Sequence, residues 1–244
     1  MTTVRLELEY DGGGFRGWAA QPGLRTVQGE LEAALETVLR ASVQLTVAGR
    51  TDTGVHALGQ VASFETEAEV PEDLARRLNG VGPDDVAVTA AEVVADDFDA
   101  RRDAKSRSYR YRVLARSALS PFEQGRALWW PHRIDRDALD ACAEALVGTH
   151  DFTAFTPTQT DHVRFDRDVL AASWTAESDI LAFRITADAF MRNMVRVLVG
   201  TMLEAASGRR TAENFTQLLA GAPRSAAGDT APPHGLYLES VSYA

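Results

Sequence analysis

Apolar residues recur at every second position in TVRLELEY, from Val4 through Leu6 and Leu8 to Tyr10, and this period of two predicts a strand over 3–10. The next stretch, DGGGFRGWAAQPG (11–23), has no period and reads as a glycine-rich loop. In TVQGELEAALETVLRA (26–41) the apolar positions 27, 31, 35, 38 and 39 keep helical spacing, with Thr26 placed to cap the N-terminus. Strands are predicted at 43–49 and 58–66, a short helix at 71–79 with proline in its first turn, and a strand at 85–94.

That order, β-α-β-β-α-β, resembles a split βαβ unit of ferredoxin-like type. The second half predicts a strand at 108–115, a helix at 135–147 behind Asp135, a loop with Phe152, Phe155 and Pro157, and a hairpin over 169–187. A long helix over 189–206, a short one over 212–221 and a last strand at 235–243 complete it. The fold class is therefore α+β. Two ferredoxin-like halves, 1–104 and 105–244, are expected to share a mixed, mainly antiparallel sheet.

Composition narrows the picture. The 244 residues suffice for one large or two small domains with real cores. No run of about 18 apolar residues predicts a membrane span, and the strand-like start lacks a signal-peptide core, so the expected location is cytoplasmic. The lone cysteine, Cys142, excludes an internal disulfide and sits in an apolar helical pattern that suits packing. Histidines 56, 132, 150, 162 and 234 show no close ligand spacing, so no metal is expected. The formal net charge is -10, and Lys105 is the single lysine among 25 basic residues. Such a balance suits a salt-adapted source and argues against nucleic-acid binding over the whole surface, while leaving room for a local arginine-lined cleft.

Four constellations carry chemistry. The loop Gly12-Gly13-Gly14-Phe15-Arg16-Gly17-Trp18 has no helix directly after its glycines and no following lysine, unlike nucleotide-binding loops. An exposed aromatic beside an arginine better suits a polynucleotide, the alternative being a plain connector. The knot Gly49-Arg50-Thr51-Asp52-Thr53-Gly54 sets an acid in a turn between two strands; a turn aspartate often only caps its own backbone. In RSYRYR (107–112) tyrosines and arginines alternate, as a base-stacking platform would require, although either tyrosine could be core. In RNMVR (192–196), Arg192 and Arg196 are four apart on a predicted helix face, and an arginine in an apolar helix needs an anionic partner. A hydrolase built on Asp52 and His56 is a further reading, though no third orienting group is evident.

Taken together, YDGGGFRGWAAQ (10–21), TVQGELEAAL (26–35), GRTDTGVHALGQVASF (49–64), FDAR (98–101), RSYRYRV (107–113), GTHDFTAF (148–155), FMRNMVRVLVG (190–200) and APPHGLYLESVSY (231–243) resemble the TruA-type tRNA pseudouridine synthases. They follow the family's order and span nearly the whole chain. Two positions depart from the pattern: Ala19 stands where the family has a second glutamine, and Asp99 where it has histidine. The resemblance implies that Asp52 is the catalytic aspartate, that Tyr109 stacks near the target base, and that Arg196 pairs with the aspartate. It implies that Arg50 handles the flipped nucleotide, and the loop residues Arg16, Trp18 and Gln21, with Arg192, are carried as further RNA contacts. It also implies a cleft between the halves, a homodimer, a tRNA substrate modified at positions 38 to 40 of the anticodon arm, and no metal or small-molecule cofactor.

Overall fold

The structure is a computed structural model and describes residues 1–160 and 163–244; Asp161 and His162 lie outside the described residues. In chain order the elements are β1 (Thr2–Tyr10), α1 (Val27–Leu39), β2 (Thr46–Val47), β3 (His56–Thr66), α2 (Leu74–Val81), β4 (Val86–Val93), β5 (Ser106–Leu114) and β6 (Leu128–Trp129). They continue with α3 (Arg136–Ala145), β7 (Gly148–Asp151), β8 (Asp166–Glu177), β9 (Ile180–Ala187), α4 (Met194–Ala206), α5 (Ala212–Gln217) and β10 (Leu236–Ser242). The chain divides into two compact units, Met1–Lys105 with Tyr237–Ala244, and Ser106–Leu236. The sequence division at 104/105 assigns the last strand to the second half. The structure places residues from Tyr237 onward in the first unit, because Tyr237 and Leu238 pair in parallel with His56 and Ala57.

In the first unit β1 is central, antiparallel to β3 on one side and β4 on the other, and β2 is antiparallel to β3. The order β4-β1-β3-β2 is that of a ferredoxin-like sheet. Val4, Leu6, Leu8 and Tyr10 all point into the core, as their period of two demands. The strand expected over 43–49 shrinks to Thr46–Val47. Its pairing stops at Ala62 and Ser63, and farther along β3 the strand β10 is paired to His56 and Ala57. Thr26 caps α1, its hydroxyl accepting the Gly29 N–H, and Val27, Leu31, Leu35 and Leu39 line the buried face.

The second unit orders its strands β5-β9-β8-β7, all antiparallel, with β6 added in parallel to β5. Asp135 caps α3 by accepting the Ala138 N–H. Cys142 is in the core, where burial pushes its thiol up to about 12. The two-residue β6 and the glycine-led β7 have no apolar alternation from which they could be read. The helix expected over 189–206 starts only at Met194, because Asn193 just before it takes a left-handed backbone (φ 62). Arg192 therefore precedes the helix and does not share a helical face with Arg196. Among the described residues no helix is long and apolar enough to cross a membrane.

Replacing Thr26 with alanine removes the cap of α1 and is expected to cost about 1 kcal/mol, read as a lower urea midpoint at unchanged m-value.

Candidate active site

Asp52 stands in the turn between β2 and β3, half-buried, with Thr51 buried before it and Thr53 exposed after it. The turn is closed by the Val55 N–H donating to the Asp52 carbonyl at 3.1 Å, and Gly54 takes positive φ. From below, the Tyr10 hydroxyl meets Thr51 Oγ1 at 2.7 Å, and Gln60 Nε2 donates to the Gly49 carbonyl at 2.8 Å and to Tyr10 Oη at 3.2 Å. Burial pushes the Tyr10 hydroxyl up to about 12, so it stays neutral through the physiological range.

The glycine-rich loop is the other wall. Trp18 N–H donates to the Thr51 carbonyl at 3.0 Å. Gly17 takes φ 93, and a Cβ there would lie 3.0 Å from the Thr51 carbonyl oxygen and 3.3 Å from Thr53 N. A Cβ on Gly12 would fall 2.0 Å from the Val55 carbonyl oxygen. The glycines are thus required by close packing of two backbones. The loop carbonyls of Gly17 and Trp18 accept the Val27 and Gln28 N–H groups at the start of α1, so those amides are not offered to a phosphate.

Arg25 anchors the loop. Its two Nη atoms each donate to Asp85 at 2.7 Å, its Nε donates to Glu30 at 3.2 Å, and its guanidinium lies 4.2 Å above the Phe15 ring. The fork holds the Asp85 carboxyl below the usual carboxylate range.

Trp18 is only 1% exposed, so the exposed aromatic expected of this loop is instead a core residue that carries the loop into the first unit. Arg16, Gln21 and Arg50 are exposed, and Gln21 Nε2 donates to the Arg16 carbonyl at 3.4 Å. His56 is 3% exposed. Its Nδ1 accepts the Gly12 N–H at 3.0 Å, lies 3.1 Å from Asp11 Oδ1, and its ring stacks on Tyr237 at 4.6 Å. Those contacts make it a bracket for the loop and the last strand. Asp99, at one of the two departures, accepts the Arg101 and Arg102 N–H groups at 2.8 and 2.7 Å and so caps its own turn.

In the second unit Tyr109 is 7% exposed and meets Phe190 edge-on at 4.9 Å. Tyr111 is fully buried and donates to the Pro232 carbonyl at 2.8 Å, so both platform candidates are buried, Tyr111 the more completely. Arg196 projects from the first turn of α4. Its Nε donates to the Ala231 carbonyl at 2.8 Å, one Nη donates to Asn193 Oδ1 at 2.9 Å, and its own carbonyl accepts the Ala231 N–H. The guanidinium is thereby held in one orientation. Arg192 is exposed and donates to the Gln159 carbonyl.

Sequence reasoning did not single out Thr51, Tyr10 or Gln60 as a group. The signal was there: Tyr10 falls on the inward parity of β1, and Gln60 is a lone amide in an apolar strand, so both had to find partners inside.

Fold and site together describe an α+β protein that presents one carboxylate from a locked turn. The family model described as "tRNA pseudouridine synthase" matches residues 8–103 and 142–244. Similar proteins include "tRNA pseudouridine synthase A" of Bacillus pumilus (strain SAFR-032), 41% identical over 243 residues and 98% of both chains. The protein of the same description from Halalkalibacterium halodurans is 43% identical over 241 residues, 97% of this chain and 90% of that one. That of Bacillus subtilis (strain 168) is 40% identical over 243 residues and 98% of both. Among solved structures, one titled "Crystal Structure of a Cbf5-Nop10-Gar1 Complex" aligns at TM-score 0.35 and 12% identity, covering 82% of this chain and 54% of that one; a likeness of that size carries no functional weight. The chain belongs to the tRNA pseudouridine synthase family, and its enzyme class is isomerase.

Substituting Gly17 with alanine forces a Cβ against Thr51 in a disfavoured backbone. The expected cost is about 1–3 kcal/mol, with faster hydrogen exchange at the Trp18 amide; unchanged exchange would show the loop free to move aside.

Proposed function

We propose that this protein isomerises uridine to pseudouridine in the anticodon stem-loop of tRNA, at positions 38 to 40, with Asp52 as the catalytic carboxylate. The observation that carries the reading is the full-length family match, together with an aspartate standing on a braced turn. The reaction breaks the bond from sugar C1′ to base N1 and forms one from C1′ to C5, while the C5 hydrogen is lost and N1 gains one. Substrate and product are isomers, so the overall equation requires no oxidant, metal or nucleotide cofactor. A carboxylate serves attack on the base, attack on the sugar, or proton abstraction, and each demands that it be ionised. Arg196 is proposed to supply the cation that keeps Asp52 charged, a role suited to a guanidinium oriented by bonds from Nε and one Nη.

A uridine in a stem has to leave the stack, which costs a few kcal/mol. Tyr109 is proposed to offset part of that cost by stacking, and Arg50 to handle the flipped nucleotide. The exposed Arg16, Gln21 and Arg192 are proposed as contacts to the RNA, the first two on a loop that the buried Trp18 holds in place. The same reading includes a cytoplasmic homodimer and a local arginine groove that binds RNA despite the net charge of -10.

Pseudouridine mapping by carbodiimide adducts and primer extension, on unmodified tRNA, tests it. Wild type is expected to give signal in the anticodon arm, and Asp52→Ala none above background, with the RNA intact. No signal from wild type at either low or molar salt would overturn the reading in favour of a binding protein, and chain cleavage would favour a hydrolase.

A further inference from the structure

The buried group beneath the turn has a direction. Gln60 Nε2 faces two oxygens, the Gly49 carbonyl and Tyr10 Oη, while Gln60 Oε1 accepts the Val61 N–H at 3.2 Å. Turning the amide over would set its oxygen against the Gly49 carbonyl and its NH2 against an N–H, so the orientation is set by the network. Tyr10 Oη therefore accepts a hydrogen bond from Gln60 Nε2 and shares a second, 2.7 Å long, with the Thr51 hydroxyl. The hydrogen bonds form one continuous chain, from β3 through the end of β1 to the residue before Asp52.

Stability alone does not explain the arrangement. Tyr10, Thr51 and Gln60 are 5%, 7% and 0% exposed. Burying three polar side chains carries a desolvation cost that their mutual bonds only offset, and apolar groups of the same shape are often as stable. The network does tie both legs of the turn to the sheet: Gly49 on the entry leg, Thr51 beside the acid. The Trp18 amide then fixes the Thr51 carbonyl and the Val55 amide the Asp52 carbonyl. A carboxylate that must meet a reacting carbon or proton gains rate from such fixed geometry.

We propose that Tyr10 and Thr51 are positioning residues for the reaction: the hydrogen bond between their hydroxyls, braced by Gln60, sets where the Asp52 carboxylate stands. The proposal rests on the reading of Asp52 as the catalytic carboxylate. Its test is a double-mutant cycle in the full chain, with Tyr10→Phe, Thr51→Val and the pair, and Thr51→Ser as the variant that keeps the hydroxyl. Single-turnover rate on a tRNA transcript, tRNA affinity and Tm are measured for each.

Each single variant is expected to slow turnover about ten- to hundredfold with tRNA affinity unchanged. The double is expected to be no slower than the slower single, and Thr51→Ser to stay near wild type. Lower Tm with an unchanged rate in the singles overturns the proposal, as does a multiplicative loss in the double. Thr51→Val and Thr51→Ser give the same comparison at the end of the chain farthest from the core, should Tyr10→Phe fold poorly. Asp52→Ala run alongside separates the two layers. If it keeps the wild-type rate, the reading of Asp52 falls and the proposal with it; if it is dead while Tyr10→Phe and Thr51→Val are undiminished, the proposal falls alone.

Discussion

The hydrogen bond from the Trp18 amide to the Thr51 carbonyl joins the two irregular segments around which the first unit is arranged. An acid at a turn is ordinarily mobile, because turns have few contacts of their own. Here the turn is packed between a glycine loop, which approaches closely only because Gly12 and Gly17 lack a Cβ, and a sheet that reaches it through hydroxyls and an amide. The loop is itself fastened at the far end by the Arg25 fork on Asp85. Two segments that each lack regular structure thus become rigid by bracing one another. Rigidity of this sort suits a site that must hold a charge ready before the substrate arrives.

Arginine in this chain has two duties, and its total says little about either. Arg25 grips Asp85 and Glu30, Arg112 reaches Glu123, Arg184 reaches Glu177 and Arg210 reaches Glu204. These are planar forks used where a point charge would fix less. Arg16, Arg50 and Arg192 are exposed. A net charge of -10 is a sum over the whole chain and does not set the sign of the field beside any one cluster of exposed arginines.

Much of this was legible in the residues. Alternation in β1 and helical spacing with a threonine cap in α1 placed both elements, because one side of each is buried and the pattern records it. The antiparallel ferredoxin-like order followed from element order alone. What failed to show was decided by contacts distant in sequence. The start of α4 was read five residues early, since nothing in FMRNM announces that Asn193 turns left-handed. Trp18 read as exposed because its loop is polar, whereas its burial depends on packing that local pattern does not encode. Asp52 was legible as a candidate acid within a motif; the parts that brace its turn were not, because Tyr10, Thr51 and Gln60 are scattered over 50 residues and meet only in the folded sheet.

The last strand gives the first unit a late birth. Tyr237 lies under His56, Lys105 N–H donates to the Ser242 carbonyl, and the Tyr243 hydroxyl donates to the Ala100 carbonyl at 2.7 Å. Everything from Ser106 to Leu236 is made between the two parts of that unit. At roughly 5–20 residues per second, the acid-bearing turn leaves the ribosome on the order of ten seconds before the strand that seats its neighbour histidine. The second unit has all its own strands by then and is free to close first. A nascent chain stalled before Tyr237 would carry the motif on a sheet still missing the strand that pairs with His56 and Ala57.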